Sequence, residues 1–135
     1  MHPFRAAAEA GDRDAIEAML ADDVVFTSPV AFKPYTGKTV TAAILRAVQR
    51  VFGGIRYVRE ISDGRDHALL FEATIGDLTI SGCDFLRMNE EGRIAELTVM
   101  VRPLSAAKAL AEAMAAEFDQ VEREVRERTA AQTVD

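Results

Sequence analysis

Asp84 is the residue of this chain whose type and setting most suggest chemistry. It stands in the middle of ISGCDFLRM, residues 80–88, a β-prone run in which acids are depleted. A carboxyl directed into an apolar cavity loses its hydration. That favours the neutral acid, which donates a hydrogen bond at neutral pH. The plainer reading pairs it with Arg87, Arg102 or a helix N-terminus as a partly buried carboxylate. Glu72, in LLFEATI, is the second acid. A two-residue Gly76-Asp77 turn pairs position 72 with 81 and 84 with 69, which puts the two acids on opposite faces of the sheet. A three-residue loop or a bulge changes the parity and brings them together, where they would split their pKa values and supply both acid and base. On the other parity Glu72 is an ordinary edge or rim glutamate. Tyr35, in KPYTG, offers either a hydroxyl near a pocket mouth or a ring that covers the edge of the core. Ser28 either binds a ligand oxygen or caps its own turn before Pro29. His67, at the start of a strand, reads as a surface residue, and Cys83 as a small buried hydrophobe on the face opposite Asp84. Met88 and Met100 fit pocket or core equally.

These residues depend on elements that hydrophobic period and punctuation delimit. Phe4 to Ala10 starts a helix, and Gly11 suits its left-handed end. Asp12 caps a second helix reaching about Leu20, with an apolar stripe of Ile16, Met19 and Leu20. Val24–Thr27 is a short strand that Ser28-Pro29 stops, and a loop with Pro34 and Gly37 follows. Thr39 or Thr41 caps a third helix with Val40, Ile44, Val48 and Val51 or Phe52 on one face; Gly53-Gly54 ends it. The period then changes from helical to about two. Ile55, Tyr57 and Ile61 alternate with Arg56 and Glu60, and Ser62-Asp63-Gly64 turns the chain. Residues 67–75, 78–88 and 93–102 read as three long strands joined by short turns, hence as antiparallel hairpins. Pro103 ends the last strand, and Ser105 caps a long helix with a narrow stripe of Leu110, Met114, Phe118, Val121 and Val125. Residues 129–135 read as a flexible tail.

The last three strands carry apolar residues on both faces, and a sheet of that kind must be covered twice. Helices cover one face; a second copy of the chain or the last helix must cover much of the other. Homodimerisation through the sheet is therefore expected. The order of elements gives an α+β fold in a single domain, residues 1–128, with the C-terminal helix from about 105.

The 135 residues are enough for a real core without metals or disulfides, and the composition is ordinary for a soluble protein. The net charge of −6 argues against nucleic acid and anionic membrane as partners. One cysteine cannot form an internal disulfide, no Cys/His cluster has metal-ligand spacing, and no apolar run reaches membrane-spanning length. A cytoplasmic protein with no metal and no cofactor is the expectation.

The stretch AGDRDAIEAMLADDVVFTSPVAFKPYTG, residues 10–37, resembles the entry segment of the nuclear transport factor 2-like superfamily, which includes ketosteroid isomerases, SnoaL-like polyketide cyclases and limonene epoxide hydrolases. ISGCDFLRMNEEGRIAELTVMVRPLSAAKAL, residues 80–110, is similar to the closing hairpin of SnoaL-like proteins. The resemblance covers roughly residues 4–115. It implies a cone-shaped, curved antiparallel sheet packed with the N-terminal helices and enclosing a mostly apolar pocket. Phe4, Ser28, Leu86, Leu97 and Val99 are its expected ligand-binding positions. Ketosteroid isomerases use an Asp base, a Tyr and a protonated Asp. On the matching positions this chain has Ser28 for the base, Phe4 for the Tyr and Asp84 for the protonated Asp. A serine with no activating base cannot abstract a carbon-bound proton near neutral pH, which speaks against standard ketosteroid isomerisation. Nothing in residues 67–76 reproduces the Arg-x-Asp pair of the epoxide hydrolases. SnoaL-type cyclisation asks chiefly for one well-placed carboxyl, which Asp84 supplies, with Tyr35 or Glu72 assisting. The implied function is binding of a small apolar, oxygen-bearing molecule, with cofactor-free isomerase, cyclase or hydrolase chemistry if it is an enzyme. The alternative is a non-catalytic binding or dimerisation module whose cavity is filled or vestigial.

Overall fold

The change of period at Gly53-Gly54 separates a helical half of the chain from a sheet half. A computed structural model describes residues 1–133. Helix α1 (Pro3–Ala10) starts with the His2 imidazole accepting from the Phe4 N–H and ends at Gly11, whose φ of 69° is left-handed. Asp12 then caps α2 (Arg13–Met19) through the Ala15 N–H. Strand β1 (Leu20–Thr27) begins four residues before the expected Val24, because Leu20 leaves the helix directly for extended backbone. The Pro-rich loop contains an unanticipated two-residue strand, β2 (Tyr35–Thr36), paired with β1. Helix α3 (Lys38–Val51) is capped by Gly37 with no side-chain bond, so Thr39 and Thr41 lie inside the helix and do not cap it.

Strands β3 (Ile55–Asp63), β4 (Asp66–Ile75), β5 (Leu78–Met88) and β6 (Ile94–Arg102) form the expected antiparallel hairpins. The six-stranded sheet runs β2-β1-β6-β5-β4-β3. One pairing departs from the antiparallel expectation: β1 lies parallel to β6, so the sheet is mixed. Helix α4 (Leu104–Thr133) begins just after Pro103 and continues past residue 129. The last two positions of the expected tail, 134 and 135, lie outside the described residues.

Alternation along β4 and β5 decides which side chains face inward. Leu69, Phe71, Ala73 and Ile75 on β4, with Ile80 and Leu86 on β5, belong to the hydrophobic core. Helix α4 packs on this inner side, with Ala106, Leu110 and Val121 buried. Charges hold it against the helical layer. Arg46 of α3 bonds Glu124 at 3.1 Å and Glu17 at 3.0 Å, Arg50 bonds Glu117, and Arg128 reaches Glu17 at 2.9 Å. Among the described residues no helix covers the outer face of the sheet, and Ile61, Phe85 and Met100 stand exposed there.

Gly82 shapes the inner face. It pairs with Phe71 on β4 and Val101 on β6. A Cβ at Gly82 would lie 2.5 Å from the Phe71 ring and 2.7 Å from the Met100 carbonyl oxygen. The missing side chain is what lets the Phe71 ring lie across β5. Replacing Gly82 by Ala overpacks this point and is expected to destabilise the fold by about 1–3 kcal/mol. Urea denaturation checks this; an unchanged midpoint would mean that Phe71 moves aside freely.

Candidate functional site

Between the helical layer and the inner sheet face lies a cavity of about 300 Å³. The sheet wall consists of Ile55 and Tyr57 on β3, Phe71 on β4, Asp84 on β5, and Val99 and Val101 on β6. Helix α3 contributes Leu45, Val48, Gln49 and Phe52; α4 adds Leu110 and Met114. Phe4 and Glu9 of α1 and the Ser28–Val30 segment close the remaining sides. Two acids, Asp84 and Glu9, reach this wall and no Lys or Arg does.

Asp84 is buried on the inner face because it alternates with Cys83 and Phe85, and it pairs with Leu69 and Val99 in the ladder. Its hydrogen bond comes from the Tyr57 hydroxyl, which donates to Oδ2 over 2.6 Å. Arg87, a sequence candidate for that role, instead pairs with Asp66 at 2.9 Å. A carboxylate buried with no cation beside it is costly, so burial raises its pKa from 3.8 to about 7, and the hydrogen bond from Tyr57 opposes that rise. Near neutral pH both protonation states are populated. Burial, and then the charge of Asp84, push the Tyr57 phenol far above its usual value, so it remains a donor.

Tyr57 reaches Asp84 across the whole width of β4, and its placement is fixed from several sides. Its backbone N–H donates to Glu9 Oε2 at 2.8 Å, and its carbonyl accepts from the Arg5 guanidinium at 3.1 Å. Its ring meets Phe71 edge-on, with centroids 5.9 Å apart. A register shift between Tyr57 and Arg59 bends β3 at this point.

Of the sequence candidates, Asp84, Ser28, Phe4 and Val99 line the cavity. The Ser28 Oγ accepts from the Val30 N–H at 3.2 Å, as a turn-capping serine does. Glu72 pairs with Ser81, as the two-residue turn requires, and lies on the outer face in an ion pair with Arg56 at 2.9 Å. It does not meet Asp84. Tyr35 is also away from the cavity. Its ring stacks on Phe26 and tilts against Phe118 of α4, with centroids 6.2 and 6.5 Å away. Leu86 and Leu97 face each other in the ladder and are buried in the core, outside the cavity wall. His67 is half-buried, its Nδ1 bonds the Ser62 Oγ at 2.7 Å, and its ring lies 4.6 Å from that of His2, a neighbour that the sequence separation concealed. Cys83 is half-buried rather than buried. Tyr57, Glu9 and Gln49 were missed. The signal for Tyr57 was its place on the inward phase of β3 beside Ile55, which marks a side chain facing the core and not its partner. Among the described residues no cluster of three or more His, Cys, Asp or Glu is arranged to hold a metal, and no helix is long and apolar enough to cross a membrane.

The SnoaL-like domain family model matches residues 2–97. A conserved bacterial protein with a cystatin-like fold from Silicibacter pomeroyi DSS-3 shares 36% identity, with 95% of this chain and 91% of that one covered and a TM-score of 0.86. A structure described as a steroid delta-isomerase from Pseudomonas aeruginosa shares 36% identity over 87% of each chain, with a TM-score of 0.82. An NTF2-like protein of unknown function from Cytophaga hutchinsonii ATCC 33406 shares the fold at 18% identity, covering 75% of this chain and 85% of that one with a TM-score of 0.61. No functionally curated protein matches in sequence. With a family match over most of its length and relatives of the same architecture, the chain belongs to the SnoaL-like domain family, with a nuclear transport factor 2-like fold.

Proposed function

We propose that this chain binds a compact, neutral, largely apolar molecule bearing a carbonyl or hydroxyl oxygen, and acts on it by cofactor-free acid–base chemistry at Asp84. The observation that carries this reading is a carboxyl on an apolar cavity wall with a phenol as its hydrogen-bond partner. Protonated, Asp84 donates to a ligand oxygen. Ionised, it accepts a proton from carbon or water. A pKa near 7 suits both roles at neutral pH. Tyr57 holds the carboxyl in place and stabilises its charged form. The resemblance to a steroid delta-isomerase supports a cyclic ketone as the ligand class. Ser28, however, stands where that chemistry places its base, and Glu9, the other acid on the wall, is engaged by the Tyr57 N–H and by Arg5, so proton transfer falls to Asp84. This favours single-carboxyl isomerisation, cyclisation or hydrolysis over the two-carboxyl route.

The second reading is a non-catalytic binding module, and the commitment of the Ser28 hydroxyl to its own turn favours it. A cavity of about 300 Å³ supports a bound ligand under either reading. For the outer sheet face, we propose a second copy of the chain as the cover. Phe85, Ile61 and Met100, exposed at 42%, 57% and 60%, form its apolar band.

Three outcomes follow from this reading. A thermal-shift screen of bicyclic and steroidal ketones, phenols, terpenoid epoxides and fatty acids at pH 5 and pH 8 gives a hit among the neutral ketones or phenols, stronger at pH 5. Asp84→Asn loses that hit, and Tyr57→Phe moves its pH midpoint upward, because a bond favouring the carboxylate is gone. Silence for ketones and phenols, or a fatty-acid hit retained by Asp84→Asn, would refute the assignment. The second outcome concerns stability. Folded Asp84 holds its proton more tightly than unfolded Asp84, so its contribution is complete below about pH 3.8 and is lost as pH rises to about 7. The loss is on the order of 4 kcal/mol. Asp84→Asn therefore gains stability relative to wild type between pH 4 and pH 8 by urea denaturation; a difference independent of pH would rule out the raised pKa. Third, light scattering at micromolar concentration gives a dimer, which Phe85→Asp with Met100→Lys converts to monomer. A monomeric wild type would count against the sheet-face interface.

A further inference from the structure

Helix α1 is held over the cavity by contacts that run along one strand. Phe4, Ala8, Glu9 and Ala10 form its part of the wall, and Glu9, Ala10 and Gly11 are exposed, so this side borders solvent. Strand β3 is the outermost strand beside it. The free edge of β3 at Tyr57 is covered by α1 side chains, Glu9 on the N–H and Arg5 on the carbonyl. At the start of the helix the His2 N–H donates to Glu60 Oε1 at 2.9 Å, and the Arg5 guanidinium lies 3.8 Å from the same oxygen. Eight residues are too few for a helix to persist without such support.

The side chain that caps α1 is titratable. Its Nδ1 accepts from the Phe4 N–H at 3.0 Å, so the neutral His2 ring carries its proton on Nε2. A second proton can go only to Nδ1, where it removes the acceptor. It also sets a positive charge at the positive end of the helix. The groups facing His2 are His67 on β4, with ring centroids 4.6 Å apart, Glu60 on β3, and the amino group of Met1, which pairs with Glu60 at 4.0 Å. Burial, and then His67, hold the imidazole below its ordinary value; the amino group adds to this and Glu60 opposes it. Folded His2 therefore binds its proton more weakly than unfolded His2. Its contribution is complete above about pH 6.5 and is lost as pH falls through a lower midpoint.

We propose that α1 is a flap over the cavity, hinged at Gly11 and latched by the neutral His2 imidazole, and that protonation of His2 releases it. The hinge is a left-handed glycine between two helices. Release uncovers the wall at Phe4 and Glu9 and frees the Tyr57 backbone, so acid both opens the cavity and loosens the grip on Tyr57. The device regulates access to the site proposed above, and it rests on that reading only for the ligand that enters.

Amide hydrogen exchange followed by NMR tests the latch without a ligand. In the full chain, protection factors of the α1 amides and of the Tyr57 N–H fall about tenfold between pH 8 and pH 5, the worth of a lost cap. Amides of β5 keep or gain protection, because acid stabilises the fold through Asp84. His2→Asn, whose side chain caps at any pH, removes the pH dependence. His2→Leu gives low α1 protection at both pH values. Protection of α1 that is equal at both pH values, or that falls equally in His2→Asn, overturns the proposal. So does a fall shared by β5, which marks global unfolding. 2-Decalone then reports access. At pH 5 it associates and dissociates about fivefold faster in wild type than in His2→Asn, with dissociation constants within about twofold because the flap stays mostly closed. Equal rates in the two proteins overturn control of access by the flap. Binding of 2-decalone by neither protein counts against the ligand class at Asp84, and the exchange result alone then decides the latch.

Discussion

The structure depends on a carboxyl group buried without a counter-charge. Asp84 occupies the middle of a central strand, where an ionised side chain needs a cation or several donors to be tolerated. It has one phenol. Two consequences follow. The proton must remain available near neutral pH, which the raised pKa expresses. The phenol must also be held rigidly, since a donor free to turn away would leave the carboxyl with nothing. Helix α1 provides that restraint by gripping the Tyr57 backbone from both sides, with Glu9 on its N–H and Arg5 on its carbonyl. The first helix therefore matters to the site through a main-chain clamp, although its own aromatic, Phe4, carries no polar group. Gly82 completes the arrangement. With no side chain there, Phe71 lies across the neighbouring strand and forms an apolar wall beside the Tyr57–Asp84 bond. That wall keeps the local dielectric low and the carboxyl protonatable.

The helical side solves the complementary problem of walling an apolar cavity without collapsing into it. Helices α3 and α4 meet through small buried residues, with Ala43, Ala47 and Ala106 fully enclosed, while Leu45, Val48, Leu110 and Met114 turn toward the cavity. The charges that fasten α4, on Glu117, Glu124 and Arg128, follow Leu110 and Met114 along the same face of the helix at steps of three and four. Isolated exposed pairs contribute little. Arg46 and Arg50, however, share Glu124 and reach on to Glu17 and Glu117, which makes a partly buried network. Such a network fixes register more than it adds stability. Here register means which α4 side chains meet the ligand. The C-terminal helix is accordingly part of the site as well as of the scaffold.

What the sequence made legible follows from the range of each interaction. Elements with strong local periods stood out: the hairpins of β3 to β6, the Gly11–Asp12 junction and the long last helix. The parity argument tied the faces of Glu72 and Asp84 to the length of the Gly76-Asp77 turn without choosing between them, and the two-residue turn that forms sets them on opposite faces. Asp84 was visible as an acid where strands avoid acids. Tyr57 was not, since its partner lies two strands away and their meeting depends on the bend in β3 and on the gap at Gly82. The parallel pairing of β1 with β6 joins residues 20–27 to 94–98 and leaves no local trace. For Tyr35 the sequence left two places open, and its loop, folding back as a short strand against β1, turns the ring onto Phe26 as a cover for the core edge and away from the cavity. Gln49 was overlooked for a related reason. On a helical wheel a glutamine beside Val48 and Phe52 reads as the solvated edge of the stripe, and only the fold shows that this edge borders a cavity.

The charge of the cavity wall limits what the site can hold more sharply than its volume does. With Asp84 and Glu9 on the wall and no Lys or Arg among its residues, an anionic ligand would enter a low-dielectric space facing acids. Ionised Asp84 would repel it, and neutral Asp84 offers one donor where a carboxylate needs two or more. A cation would meet Asp84 in its charged form, yet its desolvation would have to be repaid by a single partner in an otherwise apolar shell. A neutral molecule avoids both costs. It also benefits from the protonation equilibrium, because a carbonyl oxygen accepting from the acid form draws the proton onto Asp84 and removes the buried charge. Ligand binding and proton uptake are thereby coupled through one side chain. In that coupling a carboxyl with a fixed phenol and no counter-charge differs from a pocket containing a permanent base: its chemistry begins from the neutral acid, and the bound oxygen is what keeps it neutral.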